Sequence, residues 1–450
     1  MTGTLTGTLS IREKRPPSNE EKAHSPTPAA SMEEDVYPRW RPPLVVVGGF
    51  LTYFCTYEMN GHLRCADRTG FMNAWGTFQF YYHEVLLAGM SNSTLAWIGA
   101  LQLFILLISG LVVGPLYDAW GATRIFVPGA VLYVLAIMFA SVSSQYYQLI
   151  LTQGILLGIG TAMLFFPTIT AVSQWYGHSR GLALGIVVSG SSLGGICWPL
   201  MLERLIRQIG FPWTMRTAGF LCLALLAPSV FLVVSRPRIV REGMDDQDRC
   251  PPNVMHNLFK DLLYIAFVIG MFLVQWGMFI PFFFLPTYGS SNGMNTDEAN
   301  NLVSYLNAGS FVGRIASGYV ADVCGRLNVT FGCSAVCAVL VFCLHAITEK
   351  GSIIAFSVLY GVFSGGLISL QAACVSQITA DTRILGLRIG AMMAACSFAG
   401  LTGSPIAGAL ISHDHGAYGD MINFSGIVLS AGAIVLAGAR AMGAPGVKVF

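Results

Sequence analysis

The sequence predicts an all-α integral membrane protein, with twelve transmembrane helices arranged as two six-helix halves. Composition is the first observation: of 450 residues, 54% are apolar and only 11% are charged, with a mean hydropathy of +0.62. A soluble surface needs roughly a quarter of its residues charged. The second is periodic length, since apolar runs of about 20 residues, enough to cross the hydrocarbon core, recur along the chain. The third is an internal repeat, GPLYDAWG at 114–121 and GYVADVCG at 318–325, at a constant offset of 204.

These features exclude a cytosolic enzyme, a secreted domain and a disordered scaffold. Strand alternation is absent, which argues against a β-barrel. A net charge of +2 points away from a nucleic-acid partner. The 11 cysteines form no CxxC and no Cys/His cluster with zinc spacing, so they read as small buried hydrophobes. No metal and no cofactor is expected; the partners are the lipid bilayer and a small-molecule substrate.

In chain order, residues 1–40 are polar, lack an apolar leader stretch, and read as a disordered cytosolic tail. The N-terminal half spans 41–235. Its candidate helices are 43–80, 95–116, 124–143, 146–173, 181–203 and 213–235. Residues 236–259, with Arg236, Arg238, Arg241, Asp245, Asp246 and two prolines, form a cytosolic linker. The C-terminal half spans 260–441, with helices at 260–287, 299–320, 328–347, 351–377, 384–411 and 421–440; residues 442–450 are a second cytosolic tail.

Orientation follows from charge. With both termini inside, inner segments hold 18 of the 25 Lys and Arg, while the outer ones hold Arg204, Arg207, Arg216 and Lys350. The sequon at Asn92 then falls outside, as a candidate glycosylation site close to the bilayer. The first span is interrupted by Glu58, His62, Arg64, Asp67 and Arg68. Charges at mid-membrane cost about 2.5–3.5 kcal/mol each on the insertion scale. The interruption is either an in-frame insertion such as translated intron or a polar excursion lining a cavity.

Two repeated patterns mark the loops. Gly114, Asp118, Gly121 and Arg124 follow the second span; Gly318, Asp322, Gly325 and Arg326 follow the eighth. A second pair, Gly181 with Gly185 after Arg180, and Gly386 with Gly390, recurs at an offset of 205. Glycines let helix ends approach closely, and the aspartates can face positive helix N-termini or nearby arginines. Such contacts either hold a cytosolic gate shut or simply tie down tight turns. Gly194 and Gly195, in the run SGSSLGG, are assigned to helix packing with Arg180, Gly181 and Gly185.

With G-x-x-x-D-x-x-G-x-x-R at 114–124, the chain resembles the major facilitator superfamily. Within it, the segments QWYGHSRGLALG at 174–185, SGSSLGG at 189–195 and FMNAWG at 71–76 resemble the fungal monocarboxylate porter-like branch. The resemblance implies a transporter of a small organic acid or a specialised metabolite, working by alternating access and possessing no ATP-binding motif of its own. Some proton-coupled lactate carriers of the family use a first-span Lys and an Asp one turn before an eighth-span Arg. Here Ser310 stands at that turn and the 71–80 segment has no Lys.

Arg314 is the clearest charge deep in a span. A guanidinium suits a carboxylate, so Arg314 is either an anion contact or a structural Arg paired with Asp322 or reaching for the cytosol. Asn307, Asn73, Gln371 and Gln275 add polar groups at membrane depth, as substrate contacts or as interhelical bonds. The leading function is secondary active or facilitative movement of a small organic acid or specialised metabolite, with an anionic substrate and the plasma membrane expected and efflux one form of it. Proton-coupled monocarboxylate uptake is the alternative, ahead of a non-transporting nutrient receptor or an intramembrane enzyme.

Overall fold

In the computed structural model, the described residues are 38, 40–56, 87, 90, 92–236, 260–379, 381–414 and 416–443. The first-span interruption, Asn73, most of the 1–40 tail, linker residues 237–259 and residues 444–450 lie outside them. The apolar runs form helices because a backbone surrounded by hydrocarbon must satisfy its own N–H and C=O groups. Helix α1 is Arg41–Thr56. Helix α2 comprises Asn92–Ile108 and, after Ser109, Gly110–Trp120. Helix α3 is Ala122–Ala140, and α4 is Tyr146–Trp175, with a π-helical turn at Ile150–Leu156.

Arg180–Leu232 is a single 53-residue helical run, but Gly210 breaks it with φ 75 and ψ 167. That left-handed backbone favours glycine. It turns the chain between α5 (180–209) and α6 (211–232) without a loop. The other half follows as α7 (Leu262–Ser291), α8 (Thr296–Cys324), α9 (Arg326–Cys343), α10 (Lys350–Ile378), α11 (Leu385–His413) and α12 (Gly419–Gly443).

Among the described residues, nine helical runs are long and apolar enough to cross a membrane, and one of these is the α5–α6 run. Adding α1 and the more polar α8 gives the twelve expected passes. The 16 residues of α1 span only about 24 Å at 1.5 Å each, so the described part of the first pass is short. Helix α8 is less apolar than the other spans because it carries Asp297, Glu298, Asn300, Asn301, Asn307 and Arg314.

The described residues from Pro42 onward form one compact unit. Inside it, α1 is fastened to its own half: Tyr133 donates to the Cys55 carbonyl (2.6 Å) and the Trp198 indole N–H to Phe54 (2.8 Å). The two halves meet along two long seams, α2 against α11 and α5 against α8. Exposed apolar side chains such as Trp97, Val131, Phe220, Val339 and Ile434 cover the outside, as expected for a lipid-facing belt.

Candidate functional site

The seams close at one end of the bundle, where the chain turns between α2 and α3 and between α8 and α9. Here the two repeated aspartates do the same thing on opposite sides. The Gly386 N–H donates to Asp118 Oδ1 (2.9 Å) and the Leu387 N–H to Oδ2 (2.8 Å). The Gly181 N–H donates to Asp322 Oδ1 (2.9 Å) and the Leu182 N–H to Oδ2 (2.8 Å). Each carboxylate thus caps the first turn of a helix from the other half, α11 or α5. Those N–H groups have no partner within their own helix, and the helix dipole places partial positive charge there.

Close approach makes the caps reachable. A Cβ on Gly114 would meet the Gly386 carbonyl oxygen, and one on Gly318 would meet that of Gly181. Gly185 likewise faces the Arg314 backbone. Gly121 and Gly325 sit at the turns with positive φ, 79 and 94. Gly194 packs instead on Phe54 of α1, inside its own half.

Arginines reinforce the Asp322 clasp. Arg326 pairs with Asp322 (3.1 Å) and donates to the carbonyls of Gly177 (3.2 Å) and His178 (3.0 Å). Arg180 donates to Ser376 of the opposite half (3.0 Å) and to Tyr176. At the repeat offset of 204, Arg326 corresponds to Ala122. Arg124 is exposed on α3. At the opposite end of the bundle, polar contacts within a half include Tyr146 donating to Thr94, Tyr288 to Leu344, and Lys350 pairing with Glu298. Asn92 begins α2 at that end.

Arg314 lies deeper along the α5–α8 seam and is 2% exposed. Its guanidinium donates to the Val188 carbonyl (2.7 Å) and to the Ser191 hydroxyl, both on α5. Asp322 is held by the N-terminus of α5 and by Arg326. Gln275 of α7 and Gln371 of α10 come together, the former donating to the latter at 2.7 Å. Asn307 is buried on α8, seven residues from Arg314. Sequence reasoning did not single out Ser191 as a partner, although it belongs to the small, polar run at 189–192. Nor did it find the tie between α7 and α11, where Arg388 pairs with Asp261 (2.9 Å) and stacks on Tyr264.

With this geometry in place, comparison with known proteins assigns the fold to a family. The family model of the Major Facilitator Superfamily matches residues 60–383 and 267–445. The chain belongs to the major facilitator superfamily. It is 52% identical over 422 residues to the MFS-type transporter pynF of Aspergillus niger, covering 94% of this chain and 92% of that one. It is 36% identical over 432 residues to the agnestins efflux protein AgnL12 of Paecilomyces divaricatus, covering 96% and 95%. Among solved structures, the E. coli fucose:proton symporter FucP matches in fold with a TM-score of 0.69, at 11% identity, over 89% of this chain and 98% of that one. This superfamily member is a multi-pass membrane transporter of a small molecule, not an enzyme.

Proposed function

We propose that this superfamily transporter exports a small organic acid or specialised metabolite, with Arg314 as the contact for the anionic group. The observation that carries the site is the placement of Arg314. Its buried guanidinium lies on the seam between halves and bonds α5 across it. In alternating access the halves rock about a midplane site. A substrate carboxylate or enolate would compete with the Val188 carbonyl and Ser191 hydroxyl for the same donors. Binding would then loosen the seam that holds the clasp end shut. Asn307 and the Gln275–Gln371 pair are the neutral polar contacts of the proposed site, with Asn73 as a contact from the first span.

Charge supports the orientation. Arg124, Arg180, Arg236, Arg326 and Arg440 belong to the clasp end, and Arg204, Arg207 and Lys350 to the other. By the positive-inside bias the clasp end and both termini are cytosolic; the plasma membrane is the default location for this proposal. The state described is therefore shut toward the cytosol, and Asp118 and Asp322 are its gate residues. The fungal monocarboxylate porter-like branch is the subfamily we assign, on the 174–195 segment. A relative named for efflux over nearly the whole chain favours export. Ser310, where a proton-coupled lactate carrier would present an Asp, weighs against inherited proton–lactate uptake.

The test is metabolite profiling inside and outside cells with and without the gene. A compound trapped inside on deletion supports export and names the substrate. A compound left outside and missing inside overturns export in favour of uptake. No change in either pool overturns both.

A further inference from the structure

The first clasp depends on where α11 begins, and a second set of contacts fixes that place. Arg388 lies in the first turn of α11, directly after the two residues whose N–H groups Asp118 accepts. The positive end of a helix dipole is an unfavourable place for a cation, and this one is only 9% exposed. Helix α7 compensates it. Asp261 brings a carboxylate oxygen within 2.9 Å of Nη1. The Tyr264 ring faces the guanidinium, 5.0 Å from ring centre to Cζ. The contact is one of charge and ring face, since Nη1 and Nε find no aligned hydrogen-bond acceptor among the described residues.

The backbone completes the tie. The Tyr264 hydroxyl donates to the Arg388 carbonyl (2.6 Å). Asp261 is itself the N-cap of α7 and accepts from the Tyr264 N–H (3.2 Å). The first turns of α7 and α11 are thus joined through Asp261, Tyr264 and Arg388, all within the C-terminal half. At the other clasp the arginine in the first turn of α5, Arg180, donates across the seam to Ser376. Arg180 steadies α5 against the far half, whereas Arg388 steadies α11 against its own. The difference is mechanical, because a contact inside one half persists when the halves rock apart and a contact across the seam does not. Held to α7, the first turn of α11 meets Asp118 already ordered. Forming the caps then carries little ordering cost, which is how preorganisation favours a contact.

We propose that Arg388 is a positioning residue of the gate: through Asp261 and Tyr264 it fixes the first turn of α11, so that Gly386 and Leu387 meet Asp118 in register at each closure. This rests on the reading of Asp118 as a gate residue, and the test separates the two.

The test uses the full-length protein in lipid nanodiscs, carrying Leu387→Cys as reporter. The rate of maleimide labelling is read on the peptide that contains position 387 by mass spectrometry, so the native cysteines do not contribute. Four backgrounds are compared: unaltered, Asp118→Asn, Arg388→Gln, and both together. Arg388→Gln should raise the rate by about two- to tenfold, the scale of one hydrogen bond lost. It should raise it by a smaller factor when Asp118→Asn is already present, because the cap it positions is already weakened. The same factor in both backgrounds would make Arg388 an independent brace of α11 and overturns the proposal. No rise with Arg388→Gln overturns it too, while leaving Asp118 as a gate residue. No rise with Asp118→Asn overturns the gate reading, and this proposal with it. Where Arg388→Gln does not elute like the unaltered protein, Tyr264→Phe runs the same cycle, removing one hydroxyl and keeping the ring.

Discussion

Arg314 is buried, and it is the residue we propose as the substrate's anion contact. A guanidinium taken out of water must find acceptors, and those across the seam include the Val188 carbonyl and the Ser191 hydroxyl. An anionic ligand would compete with these two neutral acceptors, since a carboxylate adds charge–charge attraction and a bidentate geometry to the hydrogen bonds. Arg314→Gln removes the positive charge and should lower transport by about 10- to 100-fold, from the roughly 1.5–3 kcal/mol of a hydrogen bond to a charged group. Surface level, measured by fluorescence of a tagged protein, should be unchanged. Transport at the unaltered rate would remove Arg314 from the substrate path. At this scale the sequence was half legible. A lone charge in an apolar run announces itself, but its partners lie 123 and 126 residues away on another helix. The same limit hid the Gln275–Gln371 pair, since each glutamine was visible alone and only the packing of α7 on α10 joins them.

At the scale of the element, helix ends carry the argument. Each clasp joins a carboxylate to two N–H groups in the first turn of a helix. Losing a side-chain cap costs about 0.5–2 kcal/mol. Asp118→Asn keeps one acceptor oxygen but loses the charge and the two-oxygen geometry. It should shift the balance toward the opened clasp by up to about tenfold, the factor for 1.4 kcal/mol. Leu387, 7% exposed in the first turn of α11, reports this. A cysteine there (Leu387→Cys) should react with maleimide faster in the Asp118→Asn background, and faster again when Asp322→Asn is added. Equal labelling in all three backgrounds would mean that the caps do not hold the gate. Asp322→Asn alone should loosen the second clasp in the same direction, with Arg326 still donating to the Gly177 and His178 carbonyls. The limits of most helices were legible to within a few residues, because hydrocarbon thickness and loop polarity fix them. The loopless turn at Gly210 and the π-helical turn in α4 were not, since neither changes hydropathy.

For the whole molecule, the repeat implies two units that fold by the same rules and meet at two equivalent seams. We propose that residues 41–235 and 260–441 are such units. Co-expression of the chain cut within the 236–259 linker should then yield two fragments that co-purify and transport. Loss of co-purification in a detergent that keeps the uncut protein monodisperse would show that the linker is needed to hold the halves together. The duplication itself was legible, because the turn between paired helices needs the same glycines and aspartate in each half. What the linear pattern does not contain is which aspartate reaches which helix, for each reaches across to the other half.

Both clasps grip backbone N–H groups, and this shapes how the protein can diverge. A lock that reads side chains constrains both partners, so each change in one demands an answering change in the other. Here the receiving helix supplies only its main chain at Gly181, Leu182, Gly386 and Leu387. The leucine side chains are free to drift as far as the lock is concerned, and the glycines are held only by the crowding of the seam. If, as we propose, these contacts shut the substrate path, a lineage can rebuild the walls of that path while the means of shutting it passes on unaltered.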